Sequence, residues 1–354
     1  MHIMFTIPGM GFGGAERVVS ILANELVKDH DVTIFLTSGN SKCVYALNEK
    51  IRLVSTPPES GLLKNWLSFR KECKKLQPDV VLAFMMGQGI LTSIMLFGTG
   101  IPVITSERND PKGQDQVLNF KWKLLEKIAH CITKYYVFQS EGAKVCYPKR
   151  VQKKSCIILN PLDTEHLSER NADQVDNRIV SVGRLTPQKN QKMLIEAFSK
   201  AKMQETHTLH IYGEGVLRLE LEQQIQALGL QDKVFLEGNS SQVHEDIKNA
   251  KLFVFTSDYE GLPNALLEAI ALGIPCISTD CSPGGAKMLI DHGENGVLIP
   301  CGDVDTLCEA MDELLSNEEK LKKFSMNGKK IREKVSIETI SKEWLTCIDQ
   351  VKKK

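Results

Sequence analysis

Two acidic and two basic side chains stand out because of their types and their spacing. Glu260 and Glu268 lie in the stretch SDYEGLPNALLEAIALGIPCIST, and Arg184 and Lys189 lie in GRLTPQKN. An ionised carboxylate accepts hydrogen bonds from both hydroxyls of a vicinal diol. A guanidinium binds phosphate oxygens in a bidentate manner, and an ammonium adds a mobile point charge. Together these side chains suit a ligand that carries both hydroxyls and phosphates.

The two glutamates fall within a predicted strand–loop–helix–strand unit. The apolar run of residues 252–255 predicts a buried strand, and apolar residues recur with helical spacing from Asn264 until Gly273. Glu260 is then on the loop at the carboxyl end of a strand, where ligands bind in parallel sheets, and Glu268 is inside the helix. The start of that helix predicts a phosphate seat. It is formed by Gly261, Leu262, Pro263 and Asn264.

The two cations are predicted to reach the same sheet edge. Residues 183–190 follow the first predicted strand of the second half of the chain and open a helix. Spacing alone leaves a second interpretation open for all four residues. Glu260 is then a solvated loop acid, Glu268 a surface helix position, and the cations ordinary surface groups near helix ends.

Three motifs carry a resemblance to a known family. The Glu260–Glu268 stretch is similar to the E-x7-E segment of the family 4 retaining glycosyltransferases. GRLTPQKN is similar to the diphosphate clamp of that family, and GGAER at residues 13–17 is similar to its G-G-x-E turn. The resemblance extends along nearly the whole chain. It implies that Glu260 contacts the donor sugar, that Glu268 binds the ribose, and that Arg184 and Lys189 neutralise the leaving nucleoside diphosphate.

The resemblance also implies which other residues face the two substrates. The implied catalytic residues are Arg184, Lys189 and Glu260. The implied donor-binding residues are Gly14, Gly183, Gly213, Gly238, Gly261, Leu262, Pro263, Asn264 and Glu268. The implied acceptor-side residues are Gly13, Glu16, Arg108 and Asn109.

Arg108 departs from the family pattern. Many relatives carry histidine near this place, so the arginine argues against a proton relay and favours a cation for an anionic acceptor. A structural ion pair of Arg108 with Glu107 or Asp110 remains an equal alternative.

Strands and helices alternate along both halves of the chain, which predicts the α/β class with parallel sheets covered on both faces. The resemblance implies the GT-B architecture, in which two Rossmann-like domains with parallel sheets face a central cleft. We predict an acceptor-side domain at residues 1–163, a polar linker at 164–177 and a nucleotide-sugar-binding domain at 178–335. A helix at 336–354 is expected to pack back on the first domain.

Composition excludes several classes of protein. The chain has 354 residues and a formal net charge of zero, so no global field attracts nucleic acid. Its ten cysteines contain no C-x-x-C pair, which favours a reduced, cytoplasmic protein without a zinc site. No run reaches the ~18 apolar residues that a membrane helix needs.

We expect neither a metal nor a cofactor beyond the nucleotide-sugar co-substrate, because Arg184, Lys189 and helix N-termini supply positive charge. The acidic pair Asp303 and Asp305 begins a predicted helix, so helix capping explains it better than metal binding. A dinucleotide-binding alternative rests on residues 9–14, which match G-x-G-x-x-G. It is disfavoured because no acid follows the second strand to hold a ribose.

A basic run provides a candidate contact with anionic lipid. Residues 142–156 contain no acid. Their cations are Lys144, Lys149, Arg150, Lys153 and Lys154. A solvated protein face is one interpretation, and docking on the inner face of the cell membrane is the one that we favour, since relatives often act on lipid-linked acceptors.

The sequence therefore predicts a metal-independent, retaining glycosyltransferase. Its donor is predicted to be a nucleotide diphosphate sugar, UDP-linked, that carries a hexose or an N-acetylhexosamine. Its acceptor is predicted to be a hydroxyl of a growing surface glycan or a lipid-linked oligosaccharide. The alternatives are a nucleotide-sugar epimerase or hydrolase on the same fold, and a catalytically inactive scaffold.

Overall fold

The computed structural model describes residues 1–11, 13–38, 43–55, 62–111 and 120–352. The chain divides into two compact units. The first unit consists of Met1–Asp163 and Val335–Lys354, and the second consists of Thr164–Lys334.

The first unit is a seven-stranded parallel sheet in the order β3-β2-β1-β4-β5-β6-β7. Its strands are β1 (His2–Ile7), β2 (Asp31–Leu36), β3 (Arg52–Ser55), β4 (Val80–Phe84), β5 (Val103–Ser106), β6 (Tyr135–Phe138) and β7 (Ser155–Ile157). Its helices within residues 1–163 are α1 (Gly14–Leu26), α2 (Leu62–Leu76), α3 (Met86–Leu96), α4 (Phe120–Ile132), α5 (Glu141–Val145) and α6 (Lys149–Gln152). Both faces of the central strands β1 and β4 are buried, and β4 is accordingly a continuous apolar run.

The second unit is a six-stranded parallel sheet in the order β10-β9-β8-β11-β12-β13. Its strands are β8 (Arg178–Val182), β9 (Thr208–Tyr212), β10 (Val234–Gly238), β11 (Leu252–Phe255), β12 (Cys276–Thr279) and β13 (Val297–Ile299). Its helices are α7 (Gln191–Lys200), α8 (Arg218–Ala227), α9 (Val243–Ile247), α10 (Asn264–Leu272), α11 (Val304–Leu315) and α12 (Glu318–Lys329). Helices α13 (Ile331–Val335) and α14 (Ile337–Lys352) then complete the chain.

The strand order of the second unit reverses between β8 and β11. These strands pair directly, with Leu252 opposite Ile179 and Phe253 opposite Val180. The loops that follow β8 and β11 therefore leave the sheet side by side. In open α/β sheets this switch point is where ligands bind.

The C-terminal helix α14 is part of the first unit. The Leu162 amide donates to the Val335 carbonyl at 2.8 Å, where the chain returns to this unit. Trp344 of α14 is fully buried, and its ring stacks on Phe84 of β4 with 5.6 Å between ring centroids. The core of the first unit is thus built from both ends of the chain.

Three features of the fold differ from the pattern that the sequence predicts. Strand β3 was not predicted, because it is a short edge strand with mostly exposed residues. The strand–helix alternation also predicts a helix that starts near Gly284, but the structure has only a single 3-10 turn there, at Ala286–Met288. Residues 164–177 lie in the second unit, where the Arg170 guanidinium donates to the carbonyls of Gly273 and Ala250 at 2.7 and 2.8 Å.

The capping interpretation is confirmed for Asp303. Asp303 is the N-cap of α11, and its Oδ1 accepts a hydrogen bond from the Thr306 amide at 2.9 Å. Within the described ranges, no helix combines the length and the apolar character needed to cross a membrane.

Replacing Trp344 should destabilise the protein strongly. Trp344→Ala removes a fully buried ring, and such changes cost about 3–5 kcal/mol in the free energy of unfolding. Denaturant titration measures this loss. Lys342→Ala on the same helix is the control, because its ion pair with Glu338 is exposed and worth less than ~1 kcal/mol. A similar free energy of unfolding for the two variants would contradict the burial of the Trp344 ring in the core.

Candidate active site

An ion pair between Lys189 and Glu260 joins the two loops at the switch point of the second unit. The side chains are only 16% and 13% exposed. Gln188 Nε2 donates to Glu260 Oε1 at 3.1 Å and to the Tyr259 carbonyl at 2.9 Å. The Glu260 carboxylate is therefore held by a charged and a neutral donor at once.

Hydrogen bonds through the backbone fix the two loops to each other. The Asp258 amide donates to the Gln188 carbonyl at 2.9 Å, and Thr256 Oγ1 donates to the Lys189 carbonyl at 3.0 Å. Asn190 Nδ2 donates to Asp258 Oδ1 at 2.9 Å. These contacts position the Lys189 backbone without using its ammonium group, which pairs with Glu260 and lies 4.9 Å from the centroid of the Phe255 ring.

Arg184 and Lys189 differ in their surroundings. The Arg184 side chain is exposed, and within the part of the chain that the structure describes its guanidinium has no protein partner. Its carbonyl accepts a hydrogen bond from Gln191 Nε2 at 2.9 Å, which anchors the backbone at this position. One cation of the predicted clamp is thus paired and the other is open to solvent.

Glycines allow the loops at this edge to pack backbone against backbone. Gly213 has φ +135°, and its amide donates to the Gly238 carbonyl at 2.7 Å. A Cβ at Gly213 would overlap the Gly183 carbonyl, and one at Gly285 would overlap the Gly261 carbonyl. A side chain at either position would push the site loops apart.

Helix α10 points its N-terminus at the same edge. Its N-cap is Pro263, whose side chain makes no capping hydrogen bond, so the partial positive charge of this end is not offset by an N-cap acceptor. Glu268 lies farther along α10 and is 5% exposed. His244 Nε2 lies 2.9 Å from Glu268 Oε2. Sequence reasoning missed His244 and Gln188, because their contacts depend on the approach of separate elements.

The predicted acceptor-side residues lie in the first unit. Gly13 is the N-cap of α1, and its amide and carbonyl both hydrogen-bond the Tyr45 hydroxyl, at 3.4 and 3.1 Å. Glu16 lies in the first turn of α1. Met85, which precedes α3, has φ +76°, a strained conformation for a residue with a side chain.

Glu107 follows β5 and is buried. Its Oε1 accepts hydrogen bonds from the amides of Arg108 and Asn109 at 2.8 and 3.0 Å, and its Oε2 accepts one from the Tyr147 hydroxyl at 2.8 Å. Burial raises the pKa of the Glu107 carboxyl above its ordinary value, and these hydrogen bonds oppose the rise.

The Arg108 guanidinium turns toward the core of the first unit. Its Nη1 donates to Asn160 Oδ1 at 2.6 Å, and the group lies 4.6 Å above the Phe84 ring and 5.8 Å above the Trp344 ring. Burial lowers the pKa of Arg108 to about 9. These contacts give Arg108 a structural role, and its contact with an acceptor stays a prediction.

Comparison with known proteins decides the family. Residues 12–166 match the family model described as Glycosyltransferase Family 4, and residues 163–331 match the model described as Glycosyl transferases group 1. The chain belongs to the family 4 glycosyltransferases. Membership disfavours the epimerase, hydrolase and dinucleotide-binding alternatives.

Two curated relatives of this glycosyltransferase are named for lipid-linked acceptors. An alpha-1,4-N-acetyl-D-galactosaminyltransferase of Campylobacter jejuni, named for GalNAc-GalNAc-diNAcBac-PP-undecaprenol, is 29% identical and covers 99% of both chains. An Escherichia coli enzyme named UDP-Gal:alpha-D-GlcNAc-diphosphoundecaprenol alpha-1,3-galactosyltransferase is 27% identical over 70% of this chain and 69% of its own.

Solved structures show that the glycosyltransferase has the GT-B fold. The Anabaena protein HepE in complex with UDP superimposes with a TM-score of 0.84 at 18% identity, and covers 99% of this chain and 100% of its own. A lipopolysaccharide outer core galactosyltransferase in its apo form gives a TM-score of 0.79 at 22% identity, with 99% of both chains covered.

Removing the Glu260 charge should strengthen the binding of a free nucleoside diphosphate. In Glu260→Gln, Lys189 loses its anionic partner and its charge becomes available to phosphate. We expect an increase in affinity on the order of tenfold, measured by titration calorimetry with UDP, GDP and ADP.

Asp258→Asn is the matched control for this change. It removes the same charge from the same loop but leaves the Lys189–Glu260 pair in place. If nucleotide affinity is unchanged or reduced in Glu260→Gln, or rises equally in Asp258→Asn, Lys189 does not exchange partners on binding.

Proposed function

We propose that this glycosyltransferase moves a hexose or N-acetylhexosamine from a UDP-linked donor to a hydroxyl of a lipid-linked oligosaccharide or growing surface glycan. The observation that carries the proposal is the Lys189–Glu260 pair at the switch point, beside the exposed Arg184 and the N-terminus of α10. The proposal of UDP is supported by the UDP complex of HepE, and that of the acceptor by the names of the two curated relatives.

The chemistry of the leaving group explains the need for these cations. Breaking the bond between the sugar and the diphosphate leaves additional negative charge on the phosphate oxygens. Arg184, Lys189 and the α10 N-terminus place positive charge at one edge of the sheet before the reaction begins. Preorganised charge of this kind is commonly the largest catalytic contribution. We therefore propose that the enzyme works without a divalent metal.

Glu260 gains a second role when Lys189 turns toward phosphate. The freed carboxylate becomes an acceptor for a sugar hydroxyl, while Gln188 continues to hold it through Oε1. This exchange couples the arrival of the diphosphate to recognition of the sugar. We propose that transfer retains the configuration of the anomeric carbon, as the family resemblance implies, and proton NMR of the product measures that configuration.

A transfer assay tests the proposed function. Purified enzyme is incubated with UDP-Glc, UDP-Gal, UDP-GlcNAc or UDP-GalNAc, with and without an undecaprenyl diphosphate-linked acceptor, and products are identified by mass. We expect acceptor-dependent addition of one sugar. Release of free sugar or formation of an epimer, equal with and without acceptor, would contradict glycosyl transfer.

Arg184→Ala should lower kcat about 10²–10³-fold, because it removes one positioned donor to developing charge. Its melting temperature should stay unchanged, since the side chain is exposed. Lys192→Ala is the control, because this nearby exposed cation pairs with Glu220 on α8. A near-normal kcat in Arg184→Ala would contradict the assignment of this residue to the diphosphate clamp.

The five cations of the basic run differ in how exposed they are on the surface of the first unit. Lys144 lies 3.4 Å from Glu141, and the partly buried Lys154 donates to the Thr133 carbonyl. Lys149, Arg150 and Lys153 are exposed. The run therefore offers three cations rather than five to a partner.

Helix α4 adds apolar side chains beside these cations. Leu124 and Ile128, one turn apart, are 52% and 45% exposed. Lys123 and Lys127 flank them, and Arg150 Nη2 donates to the Lys127 carbonyl at 3.3 Å, which joins the basic run to this helix. We propose that this surface docks on anionic lipid, because exposed leucine and isoleucine can enter the interface while the cations contact head groups.

Replacing the two apolar residues should abolish lipid binding. Leu124→Asp with Ile128→Asp is expected to eliminate sedimentation with phosphatidylglycerol vesicles, and glutamine at 149, 150 and 153 to weaken it and reduce its salt dependence. Met326→Asp is the control, because this exposed side chain lies in the second unit. Binding that survives the double substitution, or equal binding to phosphatidylcholine, would contradict the proposed surface.

A further inference from the structure

Three donors converge on one oxygen of the Glu260 carboxylate. Lys189 Nζ, Gln188 Nε2 and Ser257 Oγ all donate to Oε1, Gln188 at 3.1 Å and Ser257 at 3.4 Å. Within the part of the chain that the structure describes, Oε2 accepts no hydrogen bond and keeps contact with solvent. The Glu260 amide donates to the Ser282 carbonyl at 2.9 Å, so the backbone is also fixed here. One carboxylate oxygen is thus occupied and the other is open.

The three donors differ in how firmly they hold Oε1 when a diphosphate binds. Lys189 turns to phosphate in the proposed function, and Ser257 Oγ lies at a distance at which a hydroxyl hydrogen bond is weak. Gln188 Nε2 also donates to the Tyr259 carbonyl at 2.9 Å, so its amide is fixed between two acceptors. An uncharged amide is attracted to phosphate much less than an ammonium is. Gln188 is therefore the donor that stays on Oε1 during the reaction.

We propose that Gln188 is a positioning residue, which holds Oε1 of Glu260 so that Oε2 faces a hydroxyl of the sugar that is transferred. The inference rests on the proposed function, because it requires a nucleotide-sugar donor. It deepens that function by giving each oxygen of the carboxylate a separate task. Gln188 acts through Glu260 and does not need to touch the substrate.

A carboxylate that is held at one oxygen presents the other in a defined direction. Without Gln188, Glu260 would sample more side-chain conformations once Lys189 has turned away, and part of its interaction energy with the sugar would be lost in ordering it. Hydrogen bonds to sugar hydroxyls strengthen as a glycosidic bond breaks. The loss should therefore appear in kcat, whereas free UDP, which carries no sugar, should bind as before.

The test is a double-mutant cycle of Gln188→Met and Glu260→Ala. The donor is the one among UDP-Glc, UDP-Gal, UDP-GlcNAc and UDP-GalNAc that supports transfer, and product is quantified by mass after incubations long enough to detect slow turnover. Gln188→Met should lower kcat about tenfold, because a hydrogen bond to a charged group is lost. Donor KM, and UDP affinity by titration calorimetry, should change less than about twofold. In the Glu260→Ala background the same substitution should lower kcat less than about twofold, since the carboxylate that Gln188 holds is gone.

Gln224 offers a matched control in the same unit. Its Nε2 donates to the Lys192 carbonyl at 3.0 Å, so Gln224→Met removes an amide donor of the same kind that does not contact Glu260. This control variant should keep a normal kcat. Gln188→Glu is the second variant, and it replaces Gln188→Met if that protein does not fold. It keeps the length of the side chain but puts an acceptor where a donor is needed, so kcat should fall at least as far as in Gln188→Met.

The outcomes separate this inference from the function on which it rests. A near-normal kcat in Gln188→Met or Gln188→Glu, an equal loss in Gln224→Met, or an undiminished loss in the Glu260→Ala background would overturn the role of Gln188 alone. A fall in UDP affinity as large as the fall in kcat would also overturn it, because Gln188 would then act on the nucleotide. Absence of acceptor-dependent transfer by the unsubstituted enzyme would overturn the proposed function and, with it, this inference.

Discussion

The site depends on one partly desolvated ion pair, between Lys189 and Glu260. Burying two charges is costly, and their attraction compensates only when the geometry is good and further hydrogen bonds satisfy the remaining groups. Here Gln188 supplies such a bond to Glu260, and backbone contacts fix both loops. The pair also requires β8 and β11 to be neighbours, because only then do the loops leave the sheet side by side. The charge arrangement is therefore a consequence of the strand order.

A pair of this kind suits a site that must accept a polyanion. An unpaired lysine in a half-buried loop would be costly in the free enzyme, and a lysine bound too strongly could not turn to the ligand. Glu260 neutralises Lys189 in the free state, and the exposed Arg184 can make the first contact with phosphate. In the proposed function, Arg184 therefore attracts the diphosphate and Lys189 completes its neutralisation.

The sequence predicted most of the fold because most of its strands are short, largely apolar runs that alternate with segments of helical spacing. The apolar runs predict strands at residues 2–7, 135–138, 252–255 and 297–299, and β1, β6, β11 and β13 begin and end at these residues. The edge strand β3 could not be found this way, because its side chains are largely exposed and carry no burial pattern. The 3-10 turn at Ala286–Met288 follows Gly285, which lies too close to the Gly261 carbonyl for a Cβ to fit. No local sequence pattern predicts such a contact between separate segments.

The site was predictable to the extent that its residues lie on loops following strands. Glu260 and Lys189 were predicted at one sheet edge because each lies on a loop that follows a parallel strand, and the structure brings them into contact. The contact between His244 and Glu268 was not predictable, because these residues meet only through the packing of α9 on α10.

The surroundings of Arg108 were likewise not predictable from the local sequence. Its neighbours in sequence, Glu107 and Asp110, suggested a local ion pair, yet its guanidinium binds Asn160 and lies over the rings of Phe84 and Trp344. Trp344 comes from the far end of the chain, so the surroundings of Arg108 form only when α14 has joined the first unit. A cation held over aromatic rings loses less by leaving water than one without them. Arg108 is therefore explained first by the core that surrounds it, and its contact with an acceptor stays a prediction.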